Sequence, residues 1–199
     1  MKRILLKLTL VLLIVTGCRM EKQNFTIYTI GDSTMSNKQE KERPETGWCQ
    51  VLEDYFDDNV TVSNHAKNGR SSKSFIDQAR WQAVLDSLKT GDFVFIQFGH
   101  NDEKHKSKGR YTVPFESYSD NLRKFINETR EKGASPILFT SIVRRKFGED
   151  GKLTPTHGDY PEAVRKVSEE LNVPLIDLQH ITKAYVNAMG DEPSKALYL

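Results

Sequence analysis

Five short apolar runs alternate with segments of helical periodicity along the chain. The runs that predict strands cover residues 25–30, 60–62, 93–98, 136–142 and 173–178. The third run is apolar at nearly every position, which is typical of a strand covered on both faces. Strands that alternate with helices in this way predict βαβ units and a parallel sheet.

Three segments between these runs have the apolar spacing of amphipathic helices. Their apolar stripes are Trp48, Val51, Leu52, Tyr55 and Phe56, then Phe115, Tyr118, Leu122, Phe125 and Ile126, then Val164, Val167 and Leu171. Gly133 is predicted to end the second helix. Asp159 is predicted to cap the third, with Pro161 in its first turn. In a parallel α/β sheet the ligand site lies at the carboxyl ends of the strands, so the residues after each strand are the candidates for function.

The first eighteen residues have a different character, with a basic start, a short apolar run and the sequence Val15-Thr16-Gly17-Cys18. The run is too short to span a bilayer and is typical of a secretory signal. Its end resembles the lipobox of bacterial lipoproteins, which implies cleavage before Cys18 and lipid on its sulfur; a plain signal with an incidental cysteine is the alternative. We expect a lipoprotein signal peptide at 1–17, a tether at 18–24 and one domain at 25–199, anchored by lipid at the bacterial cell envelope.

Composition and charge exclude several classes of protein. With 37% hydrophobic and 28% charged residues, the chain is not disordered, collagen-like or disulfide-dense. The net charge of +2 disappears with Lys2, Arg3 and Lys7 of the signal, which leaves 26 of the 29 basic residues against 27 acidic ones. No nucleic-acid partner is expected. If Cys18 carries lipid, Cys49 has no intrachain partner and is predicted to be buried and inert.

Short polar motifs follow the first three predicted strands. They are Gly31-Asp32-Ser33, then Asn68-Gly69, then Gly99-His100-Asn101-Asp102. A serine in a tight turn after a strand suits an exposed nucleophile. A glycine N–H and an asparagine amide suit oxyanion stabilisation. Each motif alone is also ordinary turn sequence, so the interpretation rests on all three in this order.

Together these motifs resemble the SGNH (GDSL) hydrolase superfamily. With residues 97–102 (Gln-Phe-Gly-His-Asn-Asp) and 156–161 (Thr-His-Gly-Asp-Tyr-Pro), the chain resembles the rhamnogalacturonan acetylesterase branch over nearly all of 25–199. The resemblance implies a three-layer α/β/α, flavodoxin-like fold with a parallel five-stranded sheet. It also implies hydrolysis of acetyl esters on pectic polysaccharide without a metal or cofactor. We expect a monomer.

The resemblance also assigns roles to single residues. It implies Ser33 as the nucleophile, with an oxyanion hole formed by its own N–H, the Gly69 N–H and the Asn101 side chain. The family takes its base from an Asp-x-x-His motif after the last strand, and this motif is not found at that position. Impaired activity in a C-terminally truncated domain is therefore expected. His180, in Asp-Leu-Gln-His, and His157 stay open as substitutes.

Substrate recognition is predicted after the fourth strand. The guanidinium groups of Arg144 and Arg145 suit the carboxylates of galacturonate, although a solvated charge cluster is equally consistent with the sequence. His157 is a further candidate for substrate contact. An esterase for another acetylated glycan or a lipid ester, and a non-catalytic glycan-binding lipoprotein, are the alternative functions.

Overall fold

The computed structural model describes residues 23–198, and a parallel sheet lies at its centre. Its strands are β1 (Phe25–Gly31), β2 (Val60–Asn64), β3 (Phe93–Gln97), β4 (Ser135–Phe139) and β5 (Leu175–Ile176). The spatial order is β2-β1-β3-β4-β5, and each neighbouring pair is parallel. This order is that of flavodoxin-like sheets, so the predicted α/β fold class and strand number are confirmed.

Six α-helices belong to the described residues. They are α1 (Ser72–Asp77), α2 (Arg80–Leu85), α3 (Ser119–Glu131), α4 (Tyr160–Leu171), α5 (Leu178–Met189) and α6 (Asp191–Ser194). Within residues 23–198, no helix has the length and apolar character needed to cross a bilayer. The predicted signal peptide and Cys18 lie outside the described residues.

The two faces of the sheet are covered by clusters of different size. Alternate residues of β3 enter each cluster, because successive side chains of a strand point to opposite faces. Val94 and Ile96 join the larger core, formed with apolar side chains from α1 to α4. Phe95 packs against the smaller cluster, which contains Met35 and Cys49. The Cys49 thiol is buried and unpaired, as predicted, and burial raises its pKa.

The predicted helix over residues 48–56 was wrong. The segment instead forms two short 3₁₀ turns, Trp48–Gln50 and Leu52–Tyr55. Its start is held against the loop after β1: a Cβ at Gly47 would lie 2.0 Å from Ser36 O, and Trp48 N–H donates to Thr34 O at 3.0 Å. These contacts fix the first turn locally, so the apolar stripe is not presented as one face and Tyr55 is 80% exposed.

The ends of two other helices also differ in part from the prediction. The helix predicted from Phe115 begins at Ser119, because residues 114–118 form an irregular turn in which Glu116 has non-helical dihedral angles. The helix ends before Gly133, as predicted, and this glycine has a φ of +73°. Asp159 precedes α4, but its side chain makes no capping hydrogen bond, so that part of the prediction was wrong.

Candidate active site

The turn after β1 is built around a buried carboxylate. Asp32 is fully buried, and its Oδ1 accepts hydrogen bonds from Thr34 N–H and Thr34 Oγ1, each at 2.9 Å. Gly31 is needed at the start of the turn, since a Cβ there would lie 2.6 Å from Gln97 O. Gln97 Nε2 in turn donates to Thr34 Oγ1 at 2.7 Å. The turn is therefore fixed to both β1 and β3.

Ser33 lies at the tip of this turn and lines a groove of about 400 Å³ at the carboxyl end of the sheet. Its side chain is half-buried. Within the described part of the chain, neither the Ser33 N–H nor Oγ makes a hydrogen bond. The residue is thus open to solvent and has a free donor beside its hydroxyl.

The loop after β2 joins the Ser33 turn to the loop after β3. Asn68 Oδ1 accepts a hydrogen bond from Ser36 Oγ, and Arg70 O accepts one from Asn101 Nδ2 at 3.0 Å. Gly69 lies between these two attachments with a φ of +74°, a conformation that suits glycine. Its N–H donates to no group among residues 23–198. It lines a separate concavity, which shares no lining residue with the groove of Ser33.

The Asn101 side chain has a defined orientation. Lys104 Nζ donates to Asn101 Oδ1 at 2.8 Å, while Asn101 Nδ2 donates to Arg70 O. A lysine only donates and a carbonyl only accepts, so these partners fix which end of the amide is nitrogen. The second proton on Nδ2 has no acceptor in the described residues, but Asn101 is 2% exposed and is not among the residues that line the Ser33 groove.

Asp102 anchors the turn that carries Asn101. Its buried carboxylate accepts hydrogen bonds from Gly99 N–H (3.1 Å), Ser72 N–H (3.0 Å), Ser72 Oγ (2.5 Å) and Thr112 Oγ1 (3.1 Å). Burial raises the pKa of Asp102 to about 7, although the hydrogen bonds from Ser72 and Thr112 oppose this shift. Asp102 thus ties three loops together and does not act as a free acid or base.

Two histidines pack beside the Ser33 groove. His100 lines the groove, and its Nδ1 lies 3.3 Å from Asp32 Oδ2 without the alignment of a hydrogen bond. His157 is 1% exposed and packs edge-to-face on His100, with ring centroids 4.5 Å apart. Burial lowers the pKa of His157 to about 3, and the nearby His100 and Arg144 add to this effect. The pKa of Asp32 is also lowered: burial alone would raise it, but the contacts with His100 and Thr34 outweigh that effect.

The other candidate base, His180, is exposed in the first turn of α5. Asp177 Oδ1 accepts a hydrogen bond from the His180 backbone N–H, and Asp177 Oδ2 pairs with Arg165 Nε at 2.9 Å. The sequence Asp-Leu-Gln-His therefore forms a helix cap here. His180 is not among the residues that line the Ser33 groove.

Arg144 and Arg145 both line the Ser33 groove, and both are already paired. Arg144 Nη2 lies 2.5 Å from Glu103 Oε1, and Arg145 pairs with Asp191 of α6. Their role in substrate binding stays a prediction. Between residues 23 and 198, no group of three or more His, Cys, Asp or Glu side chains is placed to hold a metal ion.

Comparison with known proteins gives the family. Residues 29–197 match the GDSL-like lipase/acylhydrolase family. The chain belongs to this family. The match also makes it a carboxylic ester hydrolase by family, which confirms the SGNH (GDSL) resemblance.

Individual relatives add detail. Rhamnogalacturonan acetylesterase RhgT of Bacillus subtilis is 41% identical over 90% of this chain and 76% of its own length. YqeF, an uncharacterized lipoprotein of the same organism, is 28% identical over 93% of this chain and 83% of its own. The crystal structure of YxiM from B. subtilis superposes with a TM-score of 0.78 at 31% identity, over 89% of this chain and 50% of the other.

In this GDSL-family chain, sequence reasoning missed three contributors to the site. The sequence predicts no separate role for His100, yet this residue lines the groove beside Ser33. The sequence predicts no role for Asp102 and Lys104 either, although they hold the Asn101 turn and amide. Asp102 could have been identified from its place in the polar motif at residues 99–102. Lys104 could not, because its contact with Asn101 depends on how the turn folds.

Proposed function

We propose that this chain is a serine acetylesterase that removes acetyl groups from pectic polysaccharide of the rhamnogalacturonan type. The observation that carries the proposal is Ser33, presented at the groove with a free backbone N–H. The 41% identity to RhgT, a rhamnogalacturonan acetylesterase, supports the substrate class.

In the proposed reaction, Ser33 Oγ attacks the acetyl carbonyl and the carbonyl oxygen becomes negatively charged. The Ser33 N–H, the Gly69 N–H and the free proton of Asn101 Nδ2 would stabilise that charge. The loss of one such donor raises the barrier by about 3–4 kcal/mol in other serine hydrolases. The sugar oxygen then leaves as an alcohol, with the proton that Ser33 lost, and water hydrolyses the acetyl-enzyme, which releases acetate and restores the Ser33 hydroxyl.

The proton of Ser33 needs an acceptor. We propose that activity is impaired because no such acceptor lies beside the Ser33 hydroxyl in the described part of the chain. None of the histidines in the described residues accepts a hydrogen bond from Ser33 Oγ. His157 is buried against His100, and His180 lies in the cap of α5. The 199-residue form is therefore proposed to be slow, with catalysis left to its oxyanion donors and binding, which alone support about 10³–10⁴-fold acceleration over water in a related case.

The test uses p-nitrophenyl acetate with and without imidazole as an external base, after subtraction of the reaction of imidazole alone. Wild-type protein should hydrolyse the ester slowly, and imidazole should increase the rate. Ser33→Ala should abolish this increase, whereas Ser87→Ala, a change at an exposed serine before β3, should not. An equal increase in Ser33→Ala would refute the nucleophile. Rapid turnover without imidazole would refute only the proposed impairment.

We propose lipid anchoring at Cys18 on two grounds. Val15-Thr16-Gly17-Cys18 resembles a lipobox, and the relative YqeF is named a lipoprotein. Residues 1–17 would then be the signal peptide, 18–24 a tether and 25–199 the catalytic domain. Expressed in a bacterium, the protein should enter the detergent phase of Triton X-114. Cys18→Ser should move it to the aqueous phase, and an unchanged distribution would contradict the anchor.

A further inference from the structure

A second groove, of about 750 Å³, lies at the same end of the sheet as the groove of Ser33. One wall is the segment that follows β3, and the other is the start of α4 with the residues before it. The lining side chains with polar or charged ends include Lys104, His105, Lys106, Arg110, His157 and Tyr160. We name it the basic groove.

The cations of the basic groove have no acidic partners. Lys104 Nζ donates to the neutral Asn101 amide, and Arg110 Nε donates to Ser107 Oγ at 3.0 Å. Lys106 makes no side-chain hydrogen bond or ion pair in the described residues. The acid in the lining, Glu103, is neutralised by Arg144. The groove therefore has a net positive charge that no carboxylate of its own offsets.

The basic groove is also connected to the Ser33 site. His157 borders it and packs on His100, which lines the groove of Ser33. On the other side, Arg110 borders both the basic groove and the concavity of Gly69. His157 Nε2 is buried without a hydrogen-bond partner in the structure, so this wall also contains an unused polar atom.

We propose that the basic groove binds the carboxylate of a uronic-acid residue next to the acetylated sugar, with Lys106 and Arg110 as its main cationic contacts. This inference rests on the proposed function and deepens it, because it makes the enzyme selective for acidic glycans. Lysine and arginine are the side chains suited to a carboxylate, and arginine offers two parallel donors. Arg144 and Arg145 are less suited, since each would first have to leave its present carboxylate.

The test compares trigalacturonate with its methyl ester, in which esterification removes the negative charges of the carboxylates. Binding to the full chain is measured by calorimetry at low salt. The acid should bind about tenfold more tightly than the ester, as expected for two partly exposed ion pairs. The Lys106→Gln/Arg110→Gln variant should lose most of this difference, and Lys106→Gln alone should lose part of it. Added salt should also reduce it.

A matched control separates site binding from net charge. Lys89→Gln/Lys132→Gln removes two exposed cations at the opposite, amino-terminal edge of the sheet and should leave the preference intact. Equal binding of acid and ester by wild-type protein, or equal losses in both double variants, would overturn the proposal. If acid preference is present but Ser33-dependent hydrolysis is absent, the basic groove stands and the esterase function fails.

Discussion

The buried imidazole of His157 makes the folded protein sensitive to acid. Its side chain is 1% exposed, and Nε2 has no partner in the described structure. A protonated ring would place a charge in this site, next to His100 and near Arg144. The pKa therefore falls from the ordinary 6.5 to about 3 in the folded state.

The size of the effect follows from proton linkage. Between pH 6.5 and 3 the unfolded chain binds a proton at this histidine and the folded chain does not. The contribution of His157 to the free energy of unfolding is thus complete above pH 6.5 and is lost progressively as the pH falls. At pH 5 the loss amounts to about 2 kcal/mol, at about 1.4 kcal/mol per pH unit. Asp102 has the opposite effect on stability. Its pKa is raised to about 7, so between its ordinary pKa and this value the folded chain holds a proton that the unfolded chain lacks, and its contribution to stability increases as the pH falls.

The measurement must therefore isolate His157 from the other titrating groups. Urea unfolding of wild type and His157→Gln at pH 7, 6 and 5 gives the free energy of unfolding at each pH. We expect the variant to be less stable than wild type at pH 7. The decrease in its free energy of unfolding between pH 7 and pH 5 should be smaller than that of wild type by about 2 kcal/mol. The control, His180→Gln, changes an exposed ring and should follow the wild-type curve. Parallel curves for wild type and His157→Gln would refute the reasoning.

Two further substitutions test contacts that position other parts of the molecule. Asp177→Ala removes the cap of α5 and the ion pair with α4, and should lower the free energy of unfolding by about 2 kcal/mol; Asp177→Asn, which can still cap, should cost less than half of that in the same urea titration. Lys104→Met leaves the Asn101 amide held on one side only. The Ser33-dependent rate should fall about fivefold with KM unchanged, and Lys104→Arg should restore most of it; a changed KM with an unchanged kcat would contradict a positioning role.

The sheet was predictable because its strands are marked by strong local patterns. β3 is apolar on both faces, and the structure uses both: Val94 and Ile96 fill one cluster while Phe95 packs in the other. The fifth strand was predicted over six residues and is two residues long, since the chain turns into α5 at Asp177. The apolar runs thus located the strands, but the ends of the strands depend on the elements that follow.

The segment at residues 48–56 shows where periodicity misleads. Its apolar spacing fits a helix, yet the packing that decides its conformation comes from elsewhere in the chain. Gly47 lies against the backbone of Met35 and Ser36, and the Trp48 indole N–H donates to Gln97 Oε1 at 2.8 Å. Contacts across such sequence distances override a local helical preference and are not visible in a window of ten residues.

The chain contains two Asp-x-x-His sequences, at residues 102–105 and 177–180, and they show that the chemistry of such a spacing depends on its place in the fold. At the start of a helix, an aspartate three residues before a histidine reaches that histidine's backbone N–H, and this is the contact of Asp177 with His180. After Asn101, the aspartate of the other sequence is Asp102, which is fully used in joining three loops, while His105 lines the basic groove. The Asp–His contact that does border the Ser33 groove joins Asp32 to His100, 68 positions later in the chain, and no short motif contains both. A general base must lie within hydrogen-bond reach of its proton, so only spatial neighbours of Ser33 are relevant, whatever their spacing in the sequence.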